Sequence, residues 1–181
     1  ASVDGVIGYD QALPLSCEAR SAVDWARFFE VDIDEMDFQY TLPGGDNPNK
    51  GFVGDPRHQR GMIPPNSYGV HGPPVAALLR AYGLNAHSYS GLSFDDLRHE
   101  IDSGEPVIAW VIGNVWRGTG YEYTASDGES MIVAPFEHTV IVTGYGPDRV
   151  TVVDGSLVYK TTLDAFLDSW SVLGNMAVLM E

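Results

Sequence analysis

The chain carries one cysteine, Cys17, in 181 residues. A lone cysteine permits no intrachain disulfide and no cysteine-based zinc site. An apolar core therefore has to hold the fold. The length suits one domain over residues 1–181 with a full-sized core. A chain that is 44% hydrophobic and 19% charged is globular in composition. No apolar run reaches the ~18 residues that a membrane helix needs, so no membrane insertion is expected.

Apolar spacing divides the chain into a helical first part and a strand-rich second part. Ala19, Ala22, Val23, Ala26 and Phe29 recur at helical spacing, which predicts a helix over 16–30. Ser16 stands where an N-cap would, placing Cys17 in the first turn. Residues 43–74 hold 7 of the 11 prolines and 7 of the 20 glycines, with no apolar period. They predict a long ordered loop, of the kind that walls a cleft. A helix is expected from Pro74 to Tyr82, and another from the Ser93-Phe94-Asp95-Asp96 capping signal to about Ser103. Val107–Ile112 reads as a buried strand and 113–130 as a polar connection. His138–Gly144 and Arg149–Asp154 read as strands joined by the turn Tyr145-Gly146-Pro147-Asp148. A short strand at Leu157–Lys160, a helix from Thr161 through Trp170 and a strand at Met176–Met180 follow. Helices followed by an antiparallel sheet make the expected class α+β.

The chain has 25 Asp plus Glu against 10 Lys plus Arg, a formal net charge of -15. This balance argues against nucleic acid, which needs clustered cations. It also disfavours adhesion to anionic membranes. One cysteine and high acidity suit a secreted or cell-surface protein, and suit the cytosol as well.

Chemistry concentrates at four residues. A cysteine is most often a small buried hydrophobe. At a helix N-terminus, however, unpaired N–H groups favour the thiolate, the nucleophilic form. Gln11, six residues earlier, places an amide where it would donate to an oxyanion beside the Cys17 N–H. His138 opens one strand and Asp154 ends the next. With the turn centred near Gly146, they fall within about one residue of cross-strand opposition, where Cβ atoms lie ~5 Å apart. An Asp in that place fixes the imidazole tautomer. Taken singly, Gln11 reads as an ordinary surface residue, His138 as a core or surface histidine and Asp154 as a turn residue.

The run Gln11-Ala12-Leu13-Pro14-Leu15-Ser16-Cys17-Glu18-Ala19, with Glu137-His138-Thr139-Val140-Ile141-Val142-Thr143-Gly144-Tyr145 and Val152-Val153-Asp154-Gly155, resembles the papain-like cysteine peptidases. The likeness is greatest to stand-alone relatives of the bacteriocin-processing (double-glycine leader) branch, which uses Asp as third residue. It covers residues 11–155. It implies a Cys-bearing helix packed on a sheet bearing His and Asp, Gln11 in the oxyanion hole, and no metal or organic cofactor. It further implies a peptide or protein substrate and a bacterial thiol protease, expected to act as a monomer. Glu18 follows the cysteine where transporter-linked members typically carry Gly. Gly51-Phe52-Val53-Gly54-Asp55 and Tyr68-Gly69-Val70-His71 look like a stand-alone subgroup.

Two other readings use the same residues. One is a papain-like domain that binds peptide or cell-wall material without turnover. The other is an acyl transferase or peptidoglycan amidase. His71 reads as structural rather than substrate-touching. Trp110, Trp116 and Trp170 read as core or cleft wall. Asp32/Asp34 and Asp46/Asn47/Asn49/Asp55 lack the glycine and closing glutamate of a calcium loop.

Overall fold

The computed structural model describes residues 1–181. Its centre is a six-stranded sheet in which every neighbouring pair is antiparallel. The strands are β1 (Ala86–Tyr89), β2 (Val107–Ile112), β5 (Glu137–Tyr145), β6 (Arg149–Asp154), β7 (Leu157–Thr162) and β8 (Ala177–Met180), in the order β1-β8-β2-β5-β6-β7. β3 (Tyr121–Thr124) and β4 (Ser130–Val133) form a separate hairpin. The helices are α1 (Cys17–Phe28), α2 (Glu35–Thr41), α3 (Gly72–Ala81), α4 (Phe94–Asp102) and α5 (Leu163–Ser171). The class is α+β, with the cysteine-bearing helix on the sheet.

Both faces of the sheet are covered, and β2 shows why its sequence is an unbroken apolar run. Ile108, Trp110 and Ile112 join the core under α1 and α3, while Val107, Ala109 and Val111 join the core under α4 and α5. Side chains alternate in a strand, so a strand buried on both faces must be apolar at every position. α4 starts with the capping box read from the sequence: Ser93 Oγ accepts from Asp96 N, and the Asp96 carboxylate accepts from Ser93 N.

α1 is buried nearly all round its first two turns. Ala19, Ala22 and Ala26 have no exposed surface, and such small residues let a helix approach closely. Thr139 of β5 fixes the contact. Its hydroxyl donates to the Cys17 carbonyl at 3.0 Å and lies 2.8 Å from Ser21 Oγ. The first turn of α1 is thereby tied to the residue following His138.

Several elements differ from the sequence expectations. α2 has only one fully buried apolar side chain, Phe38, so it shows little period; Asp34 caps it by accepting from Asp37 N. The 113–130 connection contains β3, and the four-residue β1 pairs with β8. α3 begins two residues before the expected Pro74.

Residues 43–71 form no regular helix or strand. Tertiary bonds hold them instead. Asn47 Nδ2 donates to Asp127 and Glu129, Asn49 Nδ2 donates to Glu129, and Lys50 pairs with Asp127, all beside the β3–β4 hairpin. Asp46 accepts from Ser126 and Asp55 from Arg57. These oxygens meet N–H and O–H donors rather than a common centre. Trp110 and Trp170 are fully buried, while Trp116 is exposed.

His71 is structural. It is 1% exposed, Nδ1 donates to Asn49 Oδ1 at 2.9 Å, and Nε2 accepts from the Tyr68 hydroxyl at 2.7 Å. Burial lowers its pKa to about 3. The unfolded chain takes up a proton near pH 6.5 that the native state refuses until about pH 3. His71 therefore costs nothing above about pH 6.5 and destabilises progressively below it, by up to about 1.4 kcal/mol per pH unit. Urea unfolding from pH 7 to pH 4 should show wild type losing stability relative to His71→Gln over that window. Parallel pH curves would refute the assignment. Thr139→Val removes the side-chain donor from the Cys17 carbonyl, which keeps its helical partner, and should cost about 0.5–1.5 kcal/mol in the same assay, with Thr139→Ser recovering most of it.

Candidate active site

Ser16 occupies the N-cap position of α1, but its hydroxyl does not cap the helix. It sits 2.7 Å from Glu35 Oε2 and also contacts both backbone groups of Leu13. The Cys17 N–H, at the first position of the helix, also has no acceptor within the protein. A helix start left open in this way attracts negative charge.

The segment before α1 is clamped by buried acids. Asp24, salt-bridged to Arg20 and Arg27, accepts from Tyr9 N at 3.0 Å. Glu35, salt-bridged to Arg20, accepts from Ala12 N at 2.9 Å. Gln11 hangs between these anchors. Its Nε2 donates to the carbonyls of Leu13 and Pro14 at 2.8 and 2.9 Å.

A cleft of about 530 Å³ opens in front of this segment, lined among others by Gln11, Arg60, Asn114, His138, Asp154 and Leu157. Within it, His138 Nε2 donates to Asp154 Oδ1 at 2.6 Å. The Tyr159 hydroxyl donates to Asp154 Oδ2 at 2.7 Å. A carboxylate only accepts, so Nε2 carries hydrogen and Nδ1 is the nitrogen left for chemistry. Burial pushes the Asp154 carboxyl up, but the hydrogen bond and charge of His138, the Tyr159 hydroxyl and Arg60 outweigh it, and the net shift is down. Asp154 therefore stays ionised beside the imidazole.

The register corrects the expected opposition. Val153 faces Ile141, so Asp154 is opposite Val140 and two residues from facing His138. The hairpin closes from Tyr145 to Val150, later than a turn at Gly146, and a bulge at Val142/Gly144 shifts the pairing once. His138 and Asp154 still share a face as diagonal neighbours, which long side chains span.

Cys17 is 5% exposed. Its sulfur and the carboxylates of Glu18 and Glu137 offer ligand atoms that all lie within 4.8 Å of one another. Burial pushes the thiol pKa well up, the charges of Glu18 and Glu137 push it further, and Arg60 pulls it back. This differs from the expectation that the helix start favours the thiolate. The sulfur makes no hydrogen bond with His138, whose Nδ1 instead faces Arg60 Nη2 at 3.5 Å, a long and weak contact. The fold thus joins His138 to Asp154 and places Gln11 on the same cleft. It holds Cys17 at the helix start behind them without a thiol–imidazole bond.

Arg60, Tyr159 and Glu137 escaped the sequence reading as site residues. Arg60 lies in the aperiodic segment, where no spacing marks it. Tyr159 had a signal, since it lies five residues after Asp154 across a tight turn. Glu137 precedes His138 and, by strand alternation, points to the opposite face. As a metal site, one thiol and two carboxyls fall one donor short of a structural zinc cage.

A C39-like protein from Bacillus anthracis superposes with a TM-score of 0.83, covering 99% of this chain and 96% of its own at 23% identity. The peptidase domain of Streptococcus ComA, a bi-functional ABC transporter of a quorum-sensing pathway, gives 0.60 at 12% identity, over 97% and 98%. A double-glycine motif protease from an AMS/PCAT transporter, solved with its leader peptide, gives 0.56 at 14% identity, over 99% and 93%. At these identities the likeness is one of fold. The uncharacterized protein YvpB of Bacillus subtilis (strain 168) is 29% identical over 138 residues, 75% of this chain, and the match spans about half (53%) of that relative's length. Residues 3–178 match the family model described as the Peptidase_C39 like family, and the chain belongs to that family.

Proposed function

We infer that the protein is a cysteine peptidase acting on peptide or protein substrates, with Cys17 as nucleophile and His138, Asp154 and Gln11 completing the site. The observation that carries this reading is the 2.6 Å bond from His138 Nε2 to an ionised Asp154, which commits one imidazole nitrogen and leaves Nδ1 free in the residue that lines the cleft with Asp10–Pro14, the segment leading into the Cys17 helix.

In this mechanism a substrate carbonyl enters the cleft and the Cys17 thiol passes its proton to His138 Nδ1 as sulfur attacks the carbon. The oxyanion that forms takes the open Cys17 N–H. Gln11 becomes the second donor by exchanging one of its two backbone carbonyls for the oxyanion. His138 returns the proton to the leaving amine, which departs and leaves a thioester. Water then attacks the thioester with Nδ1 as base, releasing the acid and the free thiol. Asp154, held by Tyr159, keeps the ring oriented and stabilises the imidazolium. The same steps with an amine in place of water give acyl transfer.

A second reading, peptide binding without turnover, draws on the buried thiol and its missing bond to His138. Digestion of a peptide library by wild type and Cys17→Ala, side by side, separates the two. Cleavage that falls about 10³-fold or more in Cys17→Ala supports the peptidase. Cleavage unchanged by that substitution, or peptide retention without products in wild type, overturns it. Alkylation of Cys17 should also slow in His138→Ala, measured as the rate of single-site labelling.

A further inference from the structure

Behind the thiol, away from the imidazole, lies a feature the mechanism above does not use. Glu18 of α1 and Glu137 of β5 are 1% and 6% exposed. Their carboxyl oxygens and the Cys17 sulfur lie within 4.8 Å of one another. Glu18 Oε1 and Glu137 Oε2 have no hydrogen-bond partner, and the Val70 N–H reaches Glu18 Oε2 only at 3.4 Å. The backbone at Gly69 closes over the pair, where a Cβ would collide with carboxylate oxygens of both.

We propose that Glu18 and Glu137 form a carboxyl pair that shares one proton, and that this pair sets the charge against which the Cys17 thiolate has to form. Two buried carboxylates this close cannot both stay ionised without partners. One proton shared between the two carboxyls leaves a single negative charge behind the sulfur. Both carboxyls shift upward, Glu18 through burial and Glu137 through burial and the charge of Glu18. The pair titrates as a unit rather than as two residues.

The other titratable groups around the sulfur are few. Arg60, from the 43–71 segment, is the one cation acting on both Cys17 and Glu137. Tyr68, from the same segment, is buried and neutral, and His71 behind it is neutral too. On β5 there is His138, bonded to Asp154 of β6. The pair thus supplies the negative charge on the α1 side of the sulfur. It keeps the resting thiol protonated, so that under the peptidase reading, on which this role in turnover rests, thiolate arises only by transfer to His138. Glu18 and Glu137 are positioning residues in this scheme and touch no substrate.

Shared protonation has an unusual signature. Removing one carboxyl leaves the other free to ionise, so the charge behind sulfur stays at minus one. Removing both brings it to zero. Because Cys17 is the only cysteine, iodoacetamide labelling of the whole protein reports it alone, whether or not any peptide is cleaved. At pH 7, Glu18→Gln and Glu137→Gln should each change the labelling rate by less than about threefold, and the double variant should raise it about tenfold or more. Its rate–pH profile should move to lower pH by about one unit or more. Equal, additive gains from the two single variants would overturn the shared proton. No gain in the double variant would overturn the action on sulfur. Wild type carries its own check should the double variant fail to fold: carbon-13 carboxyl shifts of Glu18 and Glu137 should titrate together in two separated steps. Two independent titrations near the ordinary glutamate value would refute the pairing.

Discussion

One hydroxyl, on Thr139, governs where Cys17 stands. A helix packed on a sheet by apolar contacts alone has freedom to slide and roll, because such contacts are non-directional. The bond from Thr139 Oγ1 to the Cys17 carbonyl and its contact with Ser21 remove that freedom at the end of α1 that matters. Thr139 follows His138 directly, so a single β5 backbone sets both halves of the site. The large core beneath α1 supplies stability, and this pair of polar contacts supplies alignment.

Charge around the site is arranged in layers. Asp154 has both oxygens occupied and remains ionised despite burial. Glu18 and Glu137 lack such partners and shift the other way. The difference follows from hydrogen-bond supply rather than depth alone, because a carboxylate that accepts from strong donors keeps its charge where an unpaired one does not. Arg60 is exposed yet acts on Cys17, Glu137 and Asp154. A segment without regular structure therefore delivers the principal cation of the site.

Much of this was legible in the sequence where a period or a cap was present. α1, the α4 capping box, the apolar β2 run and the β5–β6 hairpin all carried such signals, and the class followed from them. α2 has little apolar face and β1 only four residues, so neither rose above its surroundings. The β5–β6 register was misplaced because the hairpin closes from Tyr145 to Val150 rather than around Gly146, and the bulge, unmarked in an alternating apolar run, brings the pairing back by one residue. Gln11, Cys17, His138 and Asp154 stood out by type and spacing. The surroundings that tune them did not, since Arg60 and the Glu18–Glu137 contact depend on which distant segments meet. Glu18 was visible as an odd neighbour of the cysteine, while its partner was hidden in the strand that carries the histidine.

Glu137 and His138 are adjacent in the chain and serve opposite faces of one strand. A frame error of a single residue in β5 would exchange them, sending an imidazole beneath the sulfur and a carboxyl toward Asp154. Length changes in the hairpin turn or at the bulge would shift Asp154 against His138 and take the two off their common face. The irregularity at Val142/Gly144, far from the cleft, acts as the site's phase reference.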